Sequence, residues 1–434
     1  MTAAALTAYS NAVRSSRAKP TQTAWLEELR QKAIELFDAK GFPDRHWESW
    51  RYLTLSRLLE TSFQKPASSH TAVQSGHPMF ENAPCRMVFV NGLFSPGLSS
   101  PSSEEVRFGE LREELAKGAD LQAFLGRNIE AEENPFVLIN TFSFEHGALI
   151  RAAKGRKAAE PLHLFFLTEP EEGPVSSVSR ILLIAEEGSE VSVACHFCGG
   201  DGETGAFENI AAEIYVARGA RVNWMNLQPQ TLEKGNLFFN ARAWLKEEAS
   251  LDMVTFSRGR EVIRNEVLAD LEGARSSCHI LGLSVLSGVS RVYNEVTANH
   301  KAEGTVSRQF YKNLLDDSSQ AEFNSLAYVF PGAQKSDSNQ LNKNLLLSDD
   351  ARVYSRPKLK IYADDVQASH GSANGQSDTQ ELFYLQSRGL DRKTARFVLA
   401  YGFAEEILNQ IPLKSVREHL ESKVHSALES MIRE

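Results

Sequence analysis

The hydrophobic pattern changes period twice along the chain. Over residues 22 to 60, Leu26, Leu29, Ala33, Leu36 and Phe37 recur at steps of three and four, the spacing of one helix face, and Gly41-Phe42-Pro43 ends the run. The aromatic stretch His46 to Tyr52, followed by Leu53, Leu55, Leu58 and Leu59, predicts a helical cap whose tryptophans are core. Residues 61 to 80 are Ser- and Pro-rich and read as a linker. A short apolar strand is expected at Arg86 to Asn91, then a loop. Residues 104 to 150 read as mostly helical, burying Leu111, Leu115, Leu121, Phe124 and Leu125.

From Pro161 to about Val366 the period shortens to that of strands. Small or acidic turns at Gly188, Gly219, Glu248, Gly273 and Gly304 each open an alternating run, with starts 31, 29, 25 and 31 residues apart. Later turns at Ser319, Gly332 and Asp350 follow at 13 and 18 residues. A turn-plus-strand unit of irregular length predicts stacked rungs sharing one core, a β-solenoid. A sandwich of hairpins fits less well, because two-residue Asn-Gly or Asp-Gly turns do not recur from unit to unit. The strands between about Gln320 and Tyr362 carry many Asn, Gln and Ser beside their apolar positions. Such residues either line polar ladders within the solenoid or form a face that meets another chain.

At the end of this region Leu359, Ile361 and Ala363 alternate with Lys358, Lys360 and Tyr362. The run passes into Asp364-Asp365, His370 and a glycine-rich turn. Two amphipathic helices are expected next. Asp378 caps the first with Glu381 at N3, and Gly389 ends it. Asp391 caps the second, where Ala395, Val398, Leu399, Gly402, Phe403 and Ile407 form one apolar stripe. That stripe packs either against its own domain or against a partner. The expected architecture is mainly β with α caps: a mostly helical region over 1–150, a β core over 151–375 and a helical domain over 376–434.

Composition narrows the chemistry. The 434 residues carry a net charge of −9 with no Lys/Arg-rich run, which argues against nucleic acid or an anionic membrane as partner. No stretch approaches the ~18 apolar residues of a membrane span, and the start lacks a secretory pattern, so a cytoplasmic protein is expected. Four cysteines do not make a disulfide scaffold. Cys195 and Cys198 form a C-x-x-C around His196, but residues three apart on a strand face opposite ways, and no second ligand pair stands nearby. Phosphate-binding loop, dinucleotide, zinc-protease and serine-hydrolase motifs are absent. The acidic pairs Asp316-Asp317, Asp349-Asp350 and Asp364-Asp365 keep open a β-solenoid enzyme acting on carbohydrate with calcium. They also suit turns, where Asp bonds its local backbone.

Several of these segments are similar to one family. The GFP-x-x-x-x-E-x-W-R-Y pattern at Gly41 to Tyr52, the block RVYNEVTANHKAEGTVSRQFYKNLL, the stretch PKLKIYADDVQASHGSANG and the helix ELFYLQSRGLDRKTARFVLAYGFAEEIL resemble the SufB/SufD family of iron–sulfur cluster assembly proteins. The resemblance covers most of the chain. It implies a right-handed parallel β-helix between helical domains and a heterodimer with SufB through the β-helices. It also implies docking of the ATPase SufC on the C-terminal helices, with Leu399, Phe403 and Ile407 as candidates, in a subunit that is not itself an enzyme. By the same resemblance His370 contributes to a cluster-assembly site shared with SufB, as a metal ligand for a transient iron–sulfur cluster. No tightly bound cofactor is implied; reduced flavin in the complex and a homodimer of the isolated chain are left open. Some members have cysteine where Ala368 stands, so any role of that thiol is lost here. No cysteine follows Cys278, which places the chain on the SufD side of the family.

Overall fold

The computed structural model describes residues 18, 23–66, 83–169, 171–199, 205–229, 232–376 and 379–432. The linker expected at 61–80 lies mostly outside these residues, as does the cap Asp378. The solenoid is built from strands that alternate between two sheets, one of nine strands and one of ten. Along each sheet, strands one rung apart run parallel and in register, as Val193, Trp224, Met253 and Ile280 do in the ten-stranded sheet. Alternation explains the packing. Every second residue of a strand faces inward, and Val191, Val193, Cys195 and Phe197 meet Ile210, Ala212, Ile214 and Val216 in one continuous core.

One corner of the coil explains the recurrent turns. Gly188, Gly219, Glu248, Arg275, Gly304 and Lys335 all hold positive φ. Each donates its backbone N–H to a carbonyl of the next rung's corner: Gly188 to Arg218, Gly219 to Glu247, Glu248 to Ala274, Arg275 to Glu303, Gly304 to Gln334 and Lys335 to Asp365. The left-handed position therefore falls on Arg275 and not on Gly273. Gly273 is glycine for another reason, since a Cβ there would sit 1.9 Å from the Glu247 nitrogen. Charges on these turns also pair between rungs, as in Arg275 with Glu247 at 2.8 Å and Lys335 with Glu303 at 2.8 Å. Exposed pairs of this kind add little stability.

The coil starts earlier than the helical reading of 104–150 allows. Arg86–Val90, Val106–Glu110 and His146–Ala152 are all strands of the two sheets. Helix is confined there to Leu111–Ala116, Pro135–Ser143 and a 3-10 turn at Ile129–Ala131. The predicted core residues Leu111, Leu115, Leu121 and Leu125 are nonetheless buried. Strand pairing wins because a Cβ on Gly147 would lie 2.0 Å from the Arg180 carbonyl oxygen, an approach that brings the adjoining strands together.

Two helical layers cover the outer faces. Ala24–Lys40, Pro135–Ser143 and the buried Trp50 pack over the nine-stranded sheet around Phe207, Phe238 and Tyr293. Buried charges are paired beneath them: Arg180 with Glu213 at 2.8 Å, and Arg264 with Glu266 at 2.9 Å while its guanidinium lies 3.9 Å from the Trp50 ring centre. The tail contains three described helices, one more than expected: Thr379–Ser387, Arg392–Leu408 and Lys414–Met431. Asp391 caps the second by accepting from the Thr394 N–H at 2.8 Å. The second and third pack on the outer face of the ten-stranded sheet against Val254, Phe256, Leu283 and Leu314.

Gly273→Ala is expected to destabilise the fold by roughly 1–3 kcal/mol, because backbone walls its missing Cβ. Gly219→Ala, in open space but at φ +64°, should cost about 1 kcal/mol. Thermal unfolding of both variants checks the order. Burial also pushes the imidazoles of His163 and His300 down from 6.5 to about 4. The folded chain then binds fewer protons than the unfolded one across that interval, so this stability is complete above about pH 6.5 and is lost as pH falls toward 4. Denaturant titration over the interval should show a shallower pH slope for His163→Phe and for His300→Asn than for the native chain.

Candidate functional site at the last rung

The solenoid interior changes character toward its C-terminal end. One inward column of the ten-stranded sheet reads Val193, Trp224, Met253, Ile280, Gln309, Gln340 and His370 in register. Its neighbour runs from Leu251 and Cys278 to Ser307, Ser338 and Ala368. A third ends in Asn313, Asn344 and Asn374, whose amides are bonded in series at 2.6 Å each. Gln309 and Gln340 are fully buried and bridge the two sheets. Each donates its side-chain N–H to a backbone carbonyl of the strand that follows it in the chain, Leu326 at 3.4 Å and Lys358 at 3.1 Å.

His370 occupies the next place in that column. It lies on Gln367–Gly375, the terminal strand of the ten-stranded sheet, and no further strand follows it among the described residues. The imidazole is exposed. The other sheet ends in Arg352–Ile361, and neither of these strands contains a fully buried residue. The segment expected as a glycine-rich turn is therefore a strand, with Gly371 and Gly375 inside it; the turn falls at Asp364-Asp365. Parallel pairing with Asp337–Leu346 overrides the weak strand preference of Ser, Gly and Asn. Asp364 stays at the corner and makes no hydrogen bond to His370.

Beside His370, position 368 adjoins a chain of buried hydroxyls. Ser338 bonds Ser307 at 2.9 Å, and Ser307 bonds Nε2 of His300 at 2.8 Å. The other ring nitrogen of His300 meets Thr305 at 2.8 Å. On its ten-stranded side the end of the coil thus offers a polar rim that carries an imidazole and has satisfied hydroxyls behind it. An imidazole in such a place can ligate a metal or move a proton.

The remaining candidates lie elsewhere. Cys195 points into the core, whereas Cys198 points outward under the tail helices, so the C-x-x-C cannot close on one ion. Burial pushes the Cys198 thiol up to about 12 and that of Cys195 well above its ordinary value, which makes both inert. His196, between them, shares a 2.8 Å hydrogen bond with His163. Among the described residues no three His, Cys, Asp or Glu side chains are grouped to hold a metal ion. The acidic pairs sit at corners, where Asp317 accepts from the Gly288 N–H at 2.9 Å and Asp349 from the Gln376 amide at 2.8 Å.

The apolar stripe on Arg392–Leu408 packs in part against the solenoid and the last helix. Ile407 is fully buried, and Phe403 and Leu399 are only partly exposed. The helix turns this stripe toward the solenoid and toward Lys414–Met431, because both offer apolar partners. Of the stripe, Val398 is exposed (44%), and further exposed apolar surface lies at Phe383 (72%) and Tyr384 (57%) on the preceding helix. The Thr379–Ser387 helix buries none of its residues. The sequence signal for it was Leu382-Phe383-Tyr384-Leu385, an apolar run too wide for one helix stripe.

Comparison with known proteins places this geometry. Residues 165–403 match the family model of the SufBD core domain of the SUF system for FeS cluster assembly, and residues 7–164 match the SufBD protein N-terminal region. Relatives include an iron–sulfur cluster assembly SufBD family protein of Synechocystis, 29% identical, with 92% of this chain and 90% of the relative covered. The iron–sulfur cluster assembly protein SufD of Escherichia coli is 28% identical over 92% of both chains. SufD of Bacillus subtilis is 22% identical over 95% of this chain and 96% of its own. With a two-sheet β-solenoid core, helices at both ends and both family regions in order, the chain belongs to the SufBD family of iron–sulfur cluster assembly proteins, on its SufD side.

Proposed function

We propose that this chain is a non-catalytic subunit that pairs with SufB and docks the ATPase SufC, so that a nascent iron–sulfur cluster is assembled at a seam which His370 lines. The observation that carries this reading is the open last rung. Among the described residues no strand pairs with the outer edges of the two terminal strands, and natural proteins seldom leave such edges uncovered. In the ten-stranded sheet the Gln and Asn columns end at this edge in His370 and Asn374, and the Ser column ends beside them in Ala368. A second solenoid meeting this end would supply the acceptors that Leu326 and Lys358 supply to Gln309 and Gln340 further back.

The imidazole's part is to hold iron or a proton at the seam, with thiolates contributed by SufB completing the site, since Ala368 brings none. The cluster is cargo and leaves the complex. Energy would enter through the tail, where Phe383, Tyr384 and Val398 provide the apolar patch for SufC. Only a SufC state that fits the docked tail better than another can shift the seam. The assembly works in the cytoplasm on this reading. No helix among the described residues is long and apolar enough to cross a membrane.

Co-expression with SufB and SufC, followed by size exclusion and iron and sulfide analysis, tests the reading. His370→Ala should leave the complex assembled and lower cluster yield by about tenfold, in line with loss of one ligand or proton-transfer group; an undiminished yield removes the site. Phe383→Asp with Tyr384→Asp should abolish SufC co-purification while leaving the melting temperature within about 2 °C, because both side chains are exposed. Retained SufC counts against this docking face.

A further inference from the structure

Apolar contact joins the tail helices to the solenoid over most of their shared surface, and such contact is non-directional: it resists separation more than sliding. Two polar joints differ: Arg396 donates to the Leu347 carbonyl at 3.4 Å, and a more deeply buried joint centres on Lys312. Lys312 faces outward from the Val306–Leu315 strand, yet its side chain is only 3% exposed. Its ammonium donates to the Phe403 carbonyl at 2.8 Å and pairs with the Glu406 carboxylate. It also lies 4.2 Å from the centre of the Phe403 ring and 5.7 Å from that of Phe310. Lys343, in register with Lys312 one rung on, reaches the same carboxylate at 3.6 Å and the same Phe310 ring at 5.6 Å.

Glu406 thus holds two successive rungs. The residue in register beyond Lys343 is Ala373, on the strand that carries His370. On the inward side, Asn313, Asn344 and Asn374 tie the same three strands together. A buried ammonium that left its carbonyl and carboxylate would be desolvated without compensation, so strand and helix must move together. We propose that the Lys312–Glu406 joint transmits displacement of the Arg392–Leu408 helix to the last rung, so that a protein docked on the tail alters how His370 is presented. Lys312 and Glu406 are positioning residues in this scheme, and its final clause rests on the docking reading given above.

Hydrogen exchange of the Gln367–Gly375 amides tests the joint. In the isolated chain, Glu406→Gln should raise exchange there by about fivefold or more and leave the early rungs unchanged. Lys312→Met, which keeps the apolar stem, should do the same; exchange equal to native in both variants overturns the joint. Adding SufC with a non-hydrolysable ATP analogue should then shift exchange in this strand by about fivefold or more in the native chain and by less than about twofold in either variant. An equal shift in native and variants overturns transmission through Lys312. Failure of the native chain to bind SufC would sink the docking reading instead, and the isolated-chain measurement would still decide the joint.

Discussion

A single rung of this solenoid cannot bury its own inward row; only the rungs before and after it can. The in-register parallel pairing of like strands is therefore the constraint on which the rest depends. It places each inward residue on the one a rung earlier, so a column has one character over several rungs. The same constraint guarantees a problem at the end of the stack. Among the described residues the last rung has a neighbouring strand on one side only.

The columns show how that problem is prepared. The column through Ile280 is apolar to that point and then turns to Gln309, Gln340 and His370, and the Cys278 column turns to Ser307 and Ser338. These Ser and Gln side chains bond along the stack and across to the other sheet. An apolar mouth would invite any hydrophobic surface. A polar one asks for matched donors and acceptors, and unmatched partners would leave buried groups unsatisfied. The change in column character thus sets matched donors and acceptors beside an imidazole at the end of the ten-stranded sheet.

The helical layers divide the outer faces. The N-terminal layer is anchored by aromatic packing around Trp50 and Phe136 and by buried ion pairs, and it reaches the last strand through Lys358 with Glu48 and the stacked rings of Tyr52 and Tyr354. The tail layer shares apolar surface with the other sheet, yet leaves its first helix uncovered. The coil is thus held firmly on one face. On the other it carries a module with surface to spare, packed on the strands that precede the one bearing His370.

Much of this was legible in the residues: the recurrent corners at Gly188, Gly219, Glu248 and Gly304, the core of the N-terminal helix and the Asp391 cap. Where the reading missed, longer-range contacts decided. Val106–Glu110 and Gln367–Gly375 are strands because a neighbouring strand pairs with them, and nothing in five to nine residues of mixed polarity announces that. Local periodicity determined a stacked β core with helical ends, since alternation and turn chemistry act within a few residues. Only the folded chain decided that Gln340 and His370 share a column, that Ile407 faces inward while Phe383 does not, and that Lys312 meets Glu406. Those relations join residues about thirty to ninety positions apart, and their energies exist only once the rungs have stacked.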